Sequence, residues 1–172
     1  MEIEYWDVLD ENRKFTGRIH NWNEPLPKGN YHLIVHAWIC NSKGEFLTTR
    51  RAFELKRFPG MWEVPSGAAM AGESSLTAAI RETKEESGIT LLPENAKLFS
   101  STRHDSRHDG TFHDNWLFRQ EYNLSDVVLQ DGETIDAKTA NYLEISDMMA
   151  CGEFIGRDIF SEFGELEVVL SS

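Results

Sequence analysis

Cysteine is scarce in this chain, and Cys40 and Cys151 stand far apart in no metal-type spacing. Two such thiols read as reduced cysteines of a cytoplasmic protein, not as a disulfide framework or a structural zinc site. Basic residues are also in short supply, with 17 Lys and Arg against 29 Asp and Glu and a formal net charge of −12. That balance argues against a nucleic-acid partner, because a phosphate backbone would be repelled without a basic face. No apolar run approaches the roughly 20 residues that span a bilayer, so no membrane partner is expected. Residues 1–7 carry no basic segment followed by an apolar core, and no signal peptide is expected there. Internal repeats, low-complexity tracts and long linkers are missing as well. Excess carboxylate does leave one class of partner open. Divalent cations bridge two anions, and carboxylates are what a hard-cation site is made from, so a phosphorylated small molecule remains a candidate.

What is present suits one domain over residues 1–172, with 40% hydrophobic residues and five tryptophans for a packed core. Residues 3–9 and 15–20 read as strands around the polar turn Asp10 to Lys14, an N-terminal hairpin extension within residues 1–28. After Pro25, Pro27 and Gly29, the nearly continuous apolar run His32 to Cys40 predicts a buried central strand. Asn41 to Gly44 predicts a turn, and Glu45 to Arg51 the return strand. The spacing predicts a helix from Ser74 to Ser87, capped by serine and stopped by Gly88. Further strands are predicted at 96–101, 115–122, 127–129 and 141–145, and a second helix at 146–152 or 157–163, with 166–170 extended. Strands before and after one strong helix make this an α/β chain, a mixed β-sheet with α-helices on its faces.

The chemistry concentrates in residues 67–89. Glu82, Glu85 and Glu86 stand at i, i+3 and i+4, which places three carboxylates on one helix face. Their repulsion costs a few tenths of a kcal/mol per pair. Arg81 and Lys84 flank the cluster, and a bound Mg2+ or Mn2+ is the better counter-charge, because hard cations take oxygen ligands and share them with phosphates. Leu76, Ala79, Ile80 and Thr83 form the packing face, so the acidic face is expected to point outward to a cleft or solvent. An acidic helix face alone is more often simply solvated.

The full spacing is similar to the Nudix signature: Gly, five residues, Glu, seven residues, Arg-Glu, an aliphatic residue, any residue, Glu-Glu, any residue, Gly, an aliphatic residue. Gly67, Glu73, Arg81, Glu82, Glu85, Glu86, Gly88 and Ile89 all fall in place. Thr83 alone departs, at a packing position where the family prefers an aliphatic residue. The resemblance implies the Nudix fold, a mixed sheet sandwiched between helices, and hydrolysis of a nucleoside diphosphate linked to another moiety. It implies Mg2+ or Mn2+ on Glu82, Glu85, Glu86 and the Gly67 carbonyl, with Glu82 or Glu85 orienting or deprotonating the attacking water. Glu73 and Arg81 would form a structural ion pair, the partner would be a small diphosphate or nucleotide, and a homodimer is compatible with the fold.

Residues 3–92 also resemble type I isopentenyl-diphosphate isomerases, through Tyr31-His32-Leu33, the turn at 41–47, Arg50-Arg51 and Pro59-Gly60-Met61-Trp62. Those enzymes carry a cysteine followed by Gly-His after that tryptophan, whereas here the run is Trp62-Glu63-Val64-Pro65-Ser66-Gly67-Ala68-Ala69. The missing cysteine and histidine favour the hydrolase over the isomerase, and the intact glutamates favour it over a non-catalytic nucleotide-binding protein.

Outside the signature, Arg50 and Arg51 end a strand near the expected site and are candidate phosphate ligands. So are Arg103 and Arg107 in the repeated Arg-His-Asp of 103–109, against the plainer alternative of a polar loop. Glu133 is a candidate extra ligand or base from a loop, Trp62 could stack on a base, and His32 and His36 read as satisfied core histidines.

Overall fold

The computed structural model describes residues 4–105 and 110–156, so the elements expected at 157–163 and 166–170 lie outside the described residues. The chain runs through β1 (Tyr5–Leu9), β2 (Phe15–Asn21), β3 (Tyr31–Cys40), β4 (Glu45–Arg51), β5 (Trp62–Glu63), β6 (Ser66–Ala68), α1 (Ser75–Ser87), β7 (Ala96–Asp105), β8 (Gly110–Arg119), β9 (Thr134–Asn141) and α2 (Tyr142–Ala150).

β3 is the hub of a mixed sheet. It pairs in parallel with β8 along its whole length, and antiparallel with β1, β4 and β6. β7 extends the sheet beyond β8, β9 extends it beyond β4, and β2 closes the N-terminal hairpin against β1. Side chains alternate across the sheet as a period of two demands. Val35, Ala37 and Ile39 meet Ala78 and Ala79 of α1, while Trp38 packs with Ile145 and Met149 of α2. The sheet thus lies between two helices, the α/β arrangement expected, and among the described residues no helix is long and apolar enough to cross a membrane.

α1 forms where its caps dictate. Ser74 accepts a hydrogen bond from the Thr77 amide at 3.1 Å, and Gly88 takes the left-handed conformation (φ 73°) that ends the helix. Thr83, fully buried, satisfies its hydroxyl on the Ala79 carbonyl at 2.8 Å, so its departure from the aliphatic preference leaves no orphaned group.

Two expected strands are corrected. Residues 141–145 open α2 instead, because Asn141 and Glu144 form a reciprocal capping box. Residues 127–129 are irregular, with the Val128 amide spent on the Ser87 carbonyl at 2.9 Å. The strand that completes this side is β9, which the sequence pattern does not show.

Candidate active site

Gly67 sits on β6 opposite Val35 and lies against the acidic helix at Glu82. A Cβ built on Gly67 would overlap the Glu82 carboxylate, so only glycine lets backbone and carboxylate approach this closely. That close approach corrects the expectation of an outward acidic face. Glu86 is buried at 6% exposure, the Glu82 side chain keeps 16%, and only Glu85 faces solvent, at 43%.

The charges are held in a graded way. Arg81 donates through Nε and Nη2 to the two oxygens of Glu73, at 3.0 and 2.9 Å, and through Nη2 to the Ala68 carbonyl. Its remaining Nη1 reaches Glu82 at 2.8 Å and Glu85 at 3.0 Å. Arg81 therefore sits inside the acidic cluster instead of flanking it, and Lys84 turns away to the Gly88 carbonyl. Glu86 has the Ser66 backbone as a partner and Arg51 nearby, but its Oε2 has no hydrogen bond among the described residues. Burial first, and then the neighbouring carboxylates of Glu63 and Glu82, hold the Glu86 carboxyl well above the usual carboxylate range. Burial likewise pushes Glu82 up to about 7, against the opposing pull of Arg81.

Glu63, which no spacing argument singles out, belongs to this centre. It is buried at 8% exposure, pairs with Arg51 Nη1 at 2.7 Å and accepts from the Ser66 hydroxyl at 3.0 Å. A lone acidic residue in an apolar tetrapeptide has no period to reveal it.

The donor set fits a hard cation in chemistry. Carboxylates gather around a buried oxygen that lacks a partner, and the glycine strand lies against them. Among the described residues no three His, Cys, Asp or Glu side chains stand in an arrangement that would hold one ion. Nη1 of Arg81 supplies the positive charge between Glu82 and Glu85, while its Nε and Nη2 are anchored on Glu73.

Replacing Gly67 by alanine is expected to push the Glu82 carboxylate aside while the fold yields only at a flexible side-chain end. Mn2+ affinity measured by paramagnetic titration should fall about 10–100-fold, with little change in melting temperature. Unchanged affinity would show that Gly67 and Glu82 take no part in holding a cation.

The other candidates are placed plainly. Arg50 donates Nε to the Gly60 carbonyl at 2.9 Å and stacks over Trp62, which Lys138 also covers at 4.3 Å. Arg51 is committed to Glu63 and to the Arg57 carbonyl. Arg103 lies at the end of β7, donates to the Glu11 carbonyl and pairs with Asp105 at 3.1 Å on the hairpin side. Arg107 lies outside the described residues. Glu133 is exposed on the turn before β9, near enough to raise the Glu63 carboxyl. His32 is buried and stacked on Trp6 at 3.8 Å. His36 lies beside His113 of the neighbouring strand, with Nε2 2.9 Å from Nδ1, a pairing that the core reading did not anticipate.

Known proteins resemble this chain over most of its length. A family model described as the NUDIX domain matches residues 30–161. An uncharacterized Nudix hydrolase of Listeria innocua is 34% identical over 166 residues, 96% of each chain. An Escherichia coli isopentenyl-diphosphate Delta-isomerase is 32% identical over 94 residues, 54% of this chain and 52% of its own. A MutT protein of known structure from Methanosarcina mazei superposes with a TM-score of 0.65 at 26% identity, covering 83% of this chain and 98% of that one.

Proposed function

The chain belongs to the Nudix family, hydrolases acting on phosphorus-containing acid anhydrides, and we propose that it hydrolyses a nucleoside diphosphate linked to another moiety in a Mg2+- or Mn2+-dependent reaction. The observation that carries this reading is the buried Glu86 carboxylate, partnerless at Oε2 and crowded by Glu63 and Glu82. Arg51 and the Ser66 backbone offset only part of that crowding, and a cation shared with substrate phosphates is what such a carboxylate can receive. When bound, Mg2+ or Mn2+ supplies charge neutralisation on the phosphate oxygens.

This chain's own residues do the rest. Glu82 and Glu86 would hold the cation at the buried end of the centre, and Gly67 keeps the strand close. Glu85, the exposed carboxylate, can reach a water on the solvent side and accept its proton. Arg81 fixes α1 to the loop through Glu73 and governs the availability of Glu82 and Glu85.

The isomerase reading has no thiol to work with. Cys40 is buried on β3, where burial pushes its thiol up to about 11, and Cys151 is exposed past the end of α2. Neither lines the cleft beside Glu63. A silent binder would gain nothing from keeping the destabilising Glu63–Glu86 pair.

The test is a panel of sugar nucleotides, dinucleoside polyphosphates, nucleoside triphosphates and CDP-alcohols with Mg2+, comparing wild type with Glu85→Gln. Turnover should fall on the order of 10²-fold in the variant. No turnover of any member, with isopentenyl diphosphate isomerised instead, would overturn the proposal.

A further inference from the structure

The loop that leads into α1 is held from the N-terminal hairpin. Met70 to Glu73 is a β-turn, closed by the Glu73 amide on the Met70 carbonyl at 3.0 Å. The Glu73 carboxylate reinforces it, accepting the Met70 amide on Oε2 at 3.0 Å. The two central amides of such a turn find no partner within it. Here both are spent on β1. The Ala71 amide donates to the Tyr5 carbonyl at 2.8 Å, and the Gly72 amide to Asp7 Oδ2 at 3.0 Å. β1 and β2 precede residues 30–161 of the NUDIX domain, so nothing in the signature calls for this contact.

The turn depends on that contact for its place. A cavity of about 130 Å³ separates Asp7 and Leu9 of the hairpin from Met70 and Glu73 of the turn. The turn therefore spans a gap instead of resting on packed side chains, and the bonds at the rim decide where it lies. The far end of the loop is tied to the same hairpin. Ser75, the first residue of α1, donates its hydroxyl to Asp114, and the Arg13 guanidinium holds that carboxylate. After burial and Glu85, Glu4 also raises the Glu82 carboxyl, which puts the residue before β1 within electrostatic reach of the centre.

We propose that Asp7 is a positioning residue for the signature carboxylates: by holding the Met70–Glu73 turn it fixes Glu73, and through Glu73 it fixes where Arg81 stands among them. Glu73 takes Nε and Nη2 of Arg81, which leaves Nη1 to face Glu82 and Glu85. With the turn loose, the Glu73 carboxylate shifts and the guanidinium loses its two-point anchor. More of its donors then turn onto Glu82 and Glu85. A cation has to compete with that fuller arginine contact for the same oxygens. The proposal rests on the hydrolase reading only for this last consequence, and the hold of Asp7 on Arg81 stands without it.

The experiment uses the full chain. Solvent exchange of the Arg81 Nε–H is followed by NMR in EDTA, and Mn2+ affinity by paramagnetic titration. Asp7→Ala should speed that exchange about tenfold and weaken Mn2+ about tenfold, the lower end of what losing an outer partner of a metal site costs. Asp7→Asn keeps an oxygen to accept the Gly72 amide while losing the charge, so it should match wild type on both counts. Thr16→Ala removes the hydroxyl bond to the Val8 carbonyl, which weakens the same hairpin without touching the turn. It should lower the melting temperature and leave both readouts in place. The proposal is overturned if Arg81 exchange is unchanged in Asp7→Ala, or if a wild type that binds Mn2+ binds it no better than Asp7→Ala does. It is overturned equally if Asp7→Asn fails as Asp7→Ala does, because charge and not the bond would then matter. Loss of both readouts in Thr16→Ala would also overturn it, because hairpin stability alone would explain the effect. Failure of the hydrolase reading looks different: wild type takes up no Mn2+, while Arg81 exchange still follows Asp7.

Discussion

Arg13→Met is expected to cost about 3 kcal/mol of folding stability, the lower end of what breaking a buried ion pair costs. Arg13 sits in the hairpin turn between β1 and β2 in a left-handed conformation (φ 63°), and its guanidinium reaches back across the sheet to Asp114 on β8. Asp114 is fully buried. It accepts Arg13 Nη1 at 2.6 Å and Ser101 Oγ at 2.8 Å, and it also takes Arg13 Nη2 and the Ser75 hydroxyl. Removing Arg13 strands a carboxylate where water cannot replace the lost donor. The estimate stays at the lower end because a third of the Arg13 side chain is exposed, so solvent screens part of the pairing. Urea unfolding reads the loss directly, and the melting temperature should fall by about 2–4 °C for each kcal/mol. Asp114→Asn in the same background should restore part of it, because the buried group is then neutral.

The sign with pH follows from the direction of the Asp114 shift. Burial pushes its carboxyl up, but the donors and charge of Arg13 with Ser75 and Ser101 outweigh that, and the pKa lies below its ordinary value of 3.8. The contribution is therefore complete above pH 3.8 and lost as pH falls below it. Wild type and Arg13→Met should converge in stability in strong acid. Equal stability at pH 7 would show that the hairpin is not pinned through this pair.

Local signals carried much of the fold. α1 was legible because its determinants lie within a few residues of one another: the Ser74 cap, the terminal Gly88 and the carboxylates at i, i+3 and i+4. β3 was legible because a strand buried on both faces must be apolar throughout. β9 was not, since Thr134-Ile135-Asp136-Ala137-Lys138 offers only Ile135 and Ala137 as apolar residues and leaves Ile135 exposed. It is a strand because β4 offers it a ladder from Glu45 to Arg51, a long-range fact. Residues 141–145 were misread for a complementary reason: Tyr142, Leu143 and Ile145 favour a strand locally, and the capping box of Asn141 and Glu144 outweighs them.

The candidate site divides along the same line. The signature residues were legible as a spacing on one helix. Glu63, the His36–His113 pair and the fate of Arg50 and Arg51 were not, because each depends on which strands become neighbours. His36 and His113 are far apart in sequence and meet only through the parallel pairing of β3 with β8. The outward acidic face failed for a similar reason. Helical periodicity locates a stripe of carboxylates, but whether a glycine strand lies against that stripe is decided by tertiary contacts.

Glu86→Gln is expected to move stability and activity in opposite directions. Measured in EDTA at pH 7–8, the variant should melt higher than wild type, and in the panel assay it should lose about 10³-fold or more in turnover. The stability gain follows from linkage. With its folded pKa raised above the ordinary 4.5 by burial and by Glu63 and Glu82, the Glu86 carboxyl holds its proton longer in the folded chain than in the unfolded one. Stability from that group is complete below pH 4.5 and declines as pH rises through the folded pKa. Glutamine has no proton to lose, so the advantage of the variant should be absent below pH 4.5 and grow as pH rises above it. Each kcal/mol recovered corresponds to about 2–4 °C in melting temperature. Adding Mn2+ should reverse the order, because a cation that binds only the folded wild-type chain stabilises it by mass action, whereas the variant lacks the carboxylate to hold it. A variant that melts lower than wild type in EDTA across this range would mean that Glu86 is compensated inside the protein, and the case for a cation at its Oε2 would fall with that result.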